Sequence, residues 1–175
     1  MLGLARGTVR LAQYSSEWTD LFDLEAALLR SVMGAAARNI EHIGSTAIVG
    51  MPSKPIIDLV VVVNALAEAR AWIPTLATLG YEYRDNNIVP DRLFFAKGPH
   101  TQRTHHLSLT ESTSQFYKEK LLFRDYLRAH RTAFNEYFTL KEDLAAHHPN
   151  DREAYTSGKR DFVERILRLA SNTPL

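Results

Sequence analysis

The chain has 175 residues, enough for a single domain with a substantial core. Apolar residues make up 45% and charged residues 23%, and 21 basic against 20 acidic side chains leave a formal charge of +1. No global field marks a nucleic-acid or membrane binder, so any attraction for phosphate must come from a local cluster. Cysteine is absent, which excludes disulfides, thiolate nucleophiles and thiolate metal sites.

In chain order, Val9 to Tyr14 shows partial alternation and predicts an opening strand. Ser15 or Ser16 then caps a helix on which Trp18, Leu21, Phe22, Leu28, Leu29 and Val32 recur at helical spacing, with Gly34 as its stop. Ala37 to Ile43 reads as a short strand, and Gly44 to Lys54 as a turn-rich connector. Pro55 to Val63 (PIIDLVVVV) is nearly all apolar and β-branched, as a central strand covered on both faces requires.

Asn64 caps a helix over Ala65 to Leu79, which Pro74 kinks or divides and Gly80 ends. Tyr81 to Tyr83, Arg92 to Ala96 and His105 to Leu109 are predicted strands, with Asp85 to Asp91 a polar loop. From Glu111 to Leu169 only helices are expected. The first carries Phe116, Leu122, Phe123, Tyr126 and Leu127, the second Phe134, Tyr137, Phe138 and Leu144. The third, capped by Asp151 after Pro149, carries Tyr155, Phe162, Ile166 and Leu169. The aromatic positions Phe116, Phe123, Phe134, Phe138 and Phe162 are expected in the core. No repeat or linker divides the chain, so residues 1–175 are read as one α+β domain. It has a mixed β-sheet flanked by helices and a helical C-terminal third.

Met1 to Arg10 lacks the apolar core of a signal peptide, and the run Ile56 to Val63, interrupted by Asp58, is too short to span a bilayer. The expectation is a cytoplasmic protein without membrane contact; a homodimer stays open.

The chemistry concentrates in Ile40 to Val63 (IEHIGSTAIVGMPSKPIIDLVVVV). Gly44 permits close backbone approach, and Ser45 or Thr46 can cap a short helix whose N–H groups face an anion, with Lys54 nearby. Asp58 is an acid inside an apolar strand, which calls for a metal, a cation or hydrogen bonds. The competing readings are a plain turn for Gly44–Ser45 and a buried salt bridge for Asp58. The histidines His100, His130, His147 and His148 are read as ordinary surface or core residues.

A Gly-Ser turn, a connector of about ten residues and an acid-bearing strand resemble the nucleotidyltransferase superfamily. Acids at i and i+2 share a strand face and can hold two metal ions on a triphosphate there. A longer set of pieces is similar to the GrpB family, an uncharacterised branch with that fold. They are EHIGSTA (41–47), KPIIDLVV (54–61), GY (80–81), RLFFAKG (92–98), RTHHL (103–107), FRDYLRAH (123–130), YFTLK (137–141) and YTSGKRDFV (155–163). The match runs in order along nearly the whole chain.

The resemblance implies a site for a nucleotide or another phosphorylated small molecule, with nucleotidyl or phosphoryl transfer as the reaction class. Its catalytic candidates are Asp58, Glu41 and His106. Gly44, Ser45, Thr46, Lys54, Arg103, Arg124 and Arg128 are its phosphate-binding candidates. A divalent metal, magnesium or a transition metal, would lie at Asp58, His42 and His106.

Two departures count against standard two-metal transfer. Val60 stands where a second acid is expected, and Ser108 where the family tends to have the second histidine of His-x-His. Glu41 and His42 point to opposite faces of a regular strand, so at most one of them faces Asp58; His105 and His106 divide the same way. Arg124 and Arg128, four apart, are relieved either by a ligand phosphate or by Asp125 or Glu119. The rival readings are a binding module that kept the cleft without turnover and an interaction protein with no ligand. Family members fused to the coenzyme A pathway enzyme dephospho-CoA kinase imply a nucleotide-related or accessory role.

Overall fold

Why Asp58 is tolerated inside a strand follows from the sheet around it, seen in a computed structural model that describes residues 2–85 and 89–172. The strands are β1 (Asn39–Ile43), β2 (Ile57–Val63), β3 (Tyr81–Tyr83), β4 (Arg92–Lys97) and β5 (His105–Glu111). They lie in the order β1-β2-β5-β4-β3. β2 and β5 are parallel, and the other neighbours are antiparallel. The valine run Val60–Val63 is buried throughout, as a strand covered on both faces must be.

Helices close each face. On one lie α1 (Glu17–Met33), α2 (Leu66–Ala69) and α3 (Ile73–Thr78). Trp18, Leu29, Met33 and Leu76 from these helices meet Ile57, Leu59, Val61, Phe95, Leu107 and Leu109 of the sheet in one core. The other face meets α4 (Gln115–Ala129), which packs with α5 (Arg131–His147) and α7 (Arg160–Ser171), while the short α6 (Arg152–Ser157) precedes α7. Here Leu127, Phe134, Tyr137, Phe162 and Ile166 pack on Ile48 and Met51 of the β1–β2 connector in a second cluster. The expected α+β architecture with a helical C-terminal third is therefore present. No described helix is long and apolar enough to cross a membrane.

Local signals account for most boundaries. Gly34, at φ 53°, stops α1. Ser114 and Asp151 cap α4 and α6 by accepting from the N–H groups of Tyr117 and Ala154. Pro74 divides the 65–79 segment into α2, a 3-10 turn and α3.

Four expectations are corrected. Val9 to Tyr14 forms no strand; Ala12 and Ser53 make an isolated bridge, and the next ladder positions are lost because Pro55 has no N–H and the Met51 N–H is given to the Ile48 carbonyl. The third helix is two helices separated at Gly158–Lys159. In α1, Leu28 is exposed while Glu25 is buried. Phe116 is half-buried, its ring under Arg92 and Lys120 at the edge of the cleft rather than in a core, whereas Phe123 and Phe138, also half-buried, pack against the second cluster as expected. The loop expected at 85–91 falls partly outside the described residues.

Glu25 is inside because it ties α1 to the sheet. Its carboxylate accepts from Lys97 Nζ at 2.8 Å through both oxygens and from the Tyr81 hydroxyl at 2.8 Å, with His105 Nε2 at 4.0 Å. Burial pushes His105 down to about 4 although Glu25 opposes this, so the imidazole is neutral at pH 7.

Candidate functional site

Strand register sets what shares a face with Asp58. Asp58 pairs with Ile43 on β1 and His106 on β5, and His106 pairs with Ala96 on β4. The next row on that face, two residues along β2, is Glu41, Val60, Ser108 and Phe94. His42 and His105 fall on the opposite face, in line with strand alternation. There the His42 ring stacks on Phe22 of α1 at 4.7 Å, and its Nε2 lies 3.0 Å from the Thr46 hydroxyl. Burial pushes His42 down to about 4, so it too is neutral.

Asp58 and His106 form a hydrogen-bonded pair, Nδ1 to Oδ1 at 3.0 Å. Burial alone would raise the Asp58 pKa; the hydrogen bond from His106 and the charges of His106, Lys54 and Lys120 outweigh it and hold the carboxyl below its ordinary value. An ionised carboxylate only accepts, so Nδ1–H donates, and whenever the imidazole is neutral its Nε2 is the acceptor. The Asp58 side chain is 37% exposed and that of His106 15%, so the pair opens to solvent instead of being locked in the core.

Gly44 presses directly on this pair. Its φ and ψ are 72° and −173°, a conformation that belongs to glycine, and a Cβ there would lie 2.5 Å from Asp58 Oδ2. The bend after it is a single 3-10 turn, Ser45–Ala47, not the longer helix whose N-terminus would hold an anion. Ser45 faces the Tyr137 hydroxyl, and Thr46 is buried against His42.

Basic side chains from distant parts of the chain converge on Asp58. Lys54 follows the bend; Lys120 comes from α4 and Lys159 from the α6–α7 junction. Lys159 is held down at about 7 by burial and then by Lys54, with Lys120 and Arg152 adding and Asp58 opposing. Lys54 is held at about 8 by burial and Arg152, again against Asp58. Both stand over the buried Tyr155 ring, at 4.2 Å and 5.3 Å. Arg92 of β4 donates to Ser108 Oγ at 3.1 Å and also feels Asp58. Behind them Lys141, 1% exposed, donates to the Pro52 carbonyl, and burial pushes its amine well below its usual value.

The remaining sequence candidates are spent on the frame. Arg124 donates from Nη1 to Glu41 Oε2 and to the His42 carbonyl, both at 2.8 Å, and from Nε to Asp125 at 2.7 Å. Arg128 donates to the Ala47 carbonyl at 2.7 Å and sits 3.4 Å from Asp125. These two arginines clamp β1 and the bend to α4, and Asp125 relieves their repulsion. Arg103 is buried, donating to the Gly98 carbonyl at 2.6 Å and to Glu82 at 2.5 Å.

The grouping of Asp58, His42 and His106 expected for a metal does not assemble. Asp58 already accepts from His106, Glu41 is bound by Arg124, and His42 lies across the sheet. Among the described residues no three His, Asp or Glu side chains stand together as a ligand set. With lysines already compensating Asp58, these donors do not fit a metal held by the protein.

Sequence reading missed Arg92 and Lys120 as members of this environment. Lys120 sits within an ordinary-looking helical charge pattern, and nothing local marks it as facing Asp58.

Comparison with known proteins agrees with this fold. Residues 8–169 match a protein-family model described as GrpB protein. The glutamate-rich protein GrpB of Alkalihalophilus pseudofirmus is 37% identical over 171 residues, 95% of this chain and 98% of that protein. The crystal structure of the conserved protein GrpB from Enterococcus faecalis superposes with a TM-score of 0.86 at 31% identity, covering 92% of this chain and 96% of that one. A dephospho-CoA kinase of Mycolicibacterium paratuberculosis is 25% identical over 194 residues, 95% of this chain and 47% of its own length.

Proposed function

The chain belongs to the GrpB family, and from that premise and the geometry of its cleft we propose that it binds a nucleotide or another phosphorylated small molecule beside Asp58. The observation that carries the reading is the convergence of Lys54, Lys120 and Lys159 on one partly exposed carboxylate. Ammonium groups gathered at that density repel one another, and a phosphoryl group relieves the repulsion. Gly44 lets the bend pass directly beside Asp58, and the Ser45 hydroxyl supplies a further polar contact. The name of the related dephospho-CoA kinase, an enzyme of phosphoryl transfer to a coenzyme, supports the same ligand class.

The reaction the pair at Asp58 supports is transfer of a phosphoryl or nucleotidyl group to a hydroxyl. Asp58 fixes the His106 tautomer, and Nε2 accepts the hydroxyl proton. The freed oxygen then bonds to phosphorus as the bond to the leaving phosphate breaks. The lysines stabilise charge on the phosphoryl oxygens, a role in which catalysis is mostly electrostatic positioning. A second reading, a binding module without turnover, is favoured by Val60: it occupies the second-acid position, fully buried between Glu41 and Ser108.

Thermal-shift titration with inorganic phosphate, pyrophosphate and nucleoside triphosphates, with magnesium and with a chelator, tests binding. Stabilisation is expected to grow with ligand concentration and to weaken in Lys120→Gln and Lys159→Gln. Absence of any shift would refute the reading. Product analysis of each stabilising nucleotide then separates enzyme from binder.

A further inference from the structure

Next to the Asp58 cleft lies a cavity of about 50 Å³, roofed by residues 4–8 of the N-terminal segment. The roof is fixed by hydrogen bonds between Leu4 and Arg103 (3.0 and 2.8 Å), from Gly3 N–H to the Pro55 carbonyl, and from Arg6 N–H to the His100 carbonyl (2.8 Å each). The polar side chains of its lining are Arg6, Lys54, Arg84, Arg103, Arg152 and His106, with Thr8 of the roof beside them; among the described residues no carboxylate lines it. Glu82, 47% exposed, backs the wall and bridges Arg84 at 2.7 Å and Arg103 at 2.5 Å. Two carboxylates, Glu82 and the Asp58 that faces Lys54, therefore stand behind five cations.

We propose that this cavity is a second anion subsite, so that the ligand carries phosphoryl groups at two separated positions. One group lies beside Asp58, as the cleft reading above already holds, and the other lies beneath residues 4–8. His106 joins the two: its Nδ1 bonds Asp58 while the residue also lines the cavity, and Lys54 likewise serves both. The volume is about four times the roughly 10–15 Å³ one water needs, room for a phosphoryl group. Arginines dominate the wall, and their planar forks match phosphate oxygens two at a time.

Calorimetric titration of the full chain with propylphosphonate, propane-1,3-bisphosphonate and pentane-1,5-bisphosphonate tests the assignment. One bisphosphonate is expected to bind at least tenfold more tightly than propylphosphonate. The gain should vanish in Arg6→Gln/Arg84→Gln and shrink in Arg6→Gln alone, an exposed position. Propylphosphonate binding with no gain at either length, or a gain that survives the double variant, overturns the second subsite and leaves the cleft reading intact. Failure of all three probes overturns both. An equal gain with pimelate, a dicarboxylate, overturns the assignment to phosphoryl groups.

Discussion

Replacing Gly44 by alanine tests whether the bend and the carboxylate form one unit. The new methyl carbon would start 2.5 Å from Asp58 Oδ2 and 3.1 Å from Asp58 Cβ, on a backbone at φ 72° and ψ −173°. The conformation alone costs a non-glycine residue about 1–3 kcal/mol. Relieving the overlap requires Asp58 to rotate away from His106, giving up a hydrogen bond to a charged group worth about 1.5–3 kcal/mol when buried and less here, because Asp58 is partly hydrated. A total near 3 kcal/mol lowers the melting temperature by about 6–12 °C in a chain of this size. Circular dichroism melts of Gly44→Ala, Asp58→Ala and the double variant measure this. Gly50→Ala serves as control, because Gly50 also has positive φ (81°) but its nearest neighbour stands at 3.6 Å. The double variant should regain about 1 kcal/mol relative to the sum of the singles. Additivity within about 0.5 kcal/mol would refute a direct contact between bend and carboxylate.

Glu25→Ala leaves Lys97 and the Tyr81 hydroxyl without their shared carboxylate and is expected to cost about 3 kcal/mol, the low end for a broken buried pair because Lys97 is partly exposed; Glu25→Leu/Lys97→Met should recover most of it in urea melts. The amines of Lys159 and Lys54 give opposite pH dependences to folding and binding. Folded, they titrate near 7 and 8, while unfolded lysine titrates near 10.5, so between these limits the unfolded chain holds more protons and their contribution to stability rises with pH. Phosphate affinity should fall over pH 7–9 as the same groups lose charge, and binding at pH 8 should take up protons, seen by calorimetry in buffers of different ionisation enthalpy. Val60→Asp buries a second carboxylate on the face of Asp58 and is expected to lower the melting temperature by more than about 5 °C. Millimolar Mn2+ should restore it in the variant and leave the parent unchanged.

What the sequence determined by itself lies in local and periodic signals. The apolar run at Pro55 to Val63 could only be a covered strand, the Pro74 break divided its helix, and Asp151 capped where expected. The strand alternation of Glu41 and His42, and of His105 and His106, required that one of each pair turn away from Asp58. The motif pieces sufficed for the family. What only the tertiary structure decided is which charges meet. Glu41 is bound by Arg124 from a helix 83 residues on, Arg128 holds a backbone carbonyl, and Lys120 and Lys159 reach Asp58 from helices whose own patterns look like solvated faces. Strand parity is a property of neighbours along the chain and can be read there. The partner of a charge depends on how helices lie across the sheet, which is fixed by side-chain packing far away in sequence.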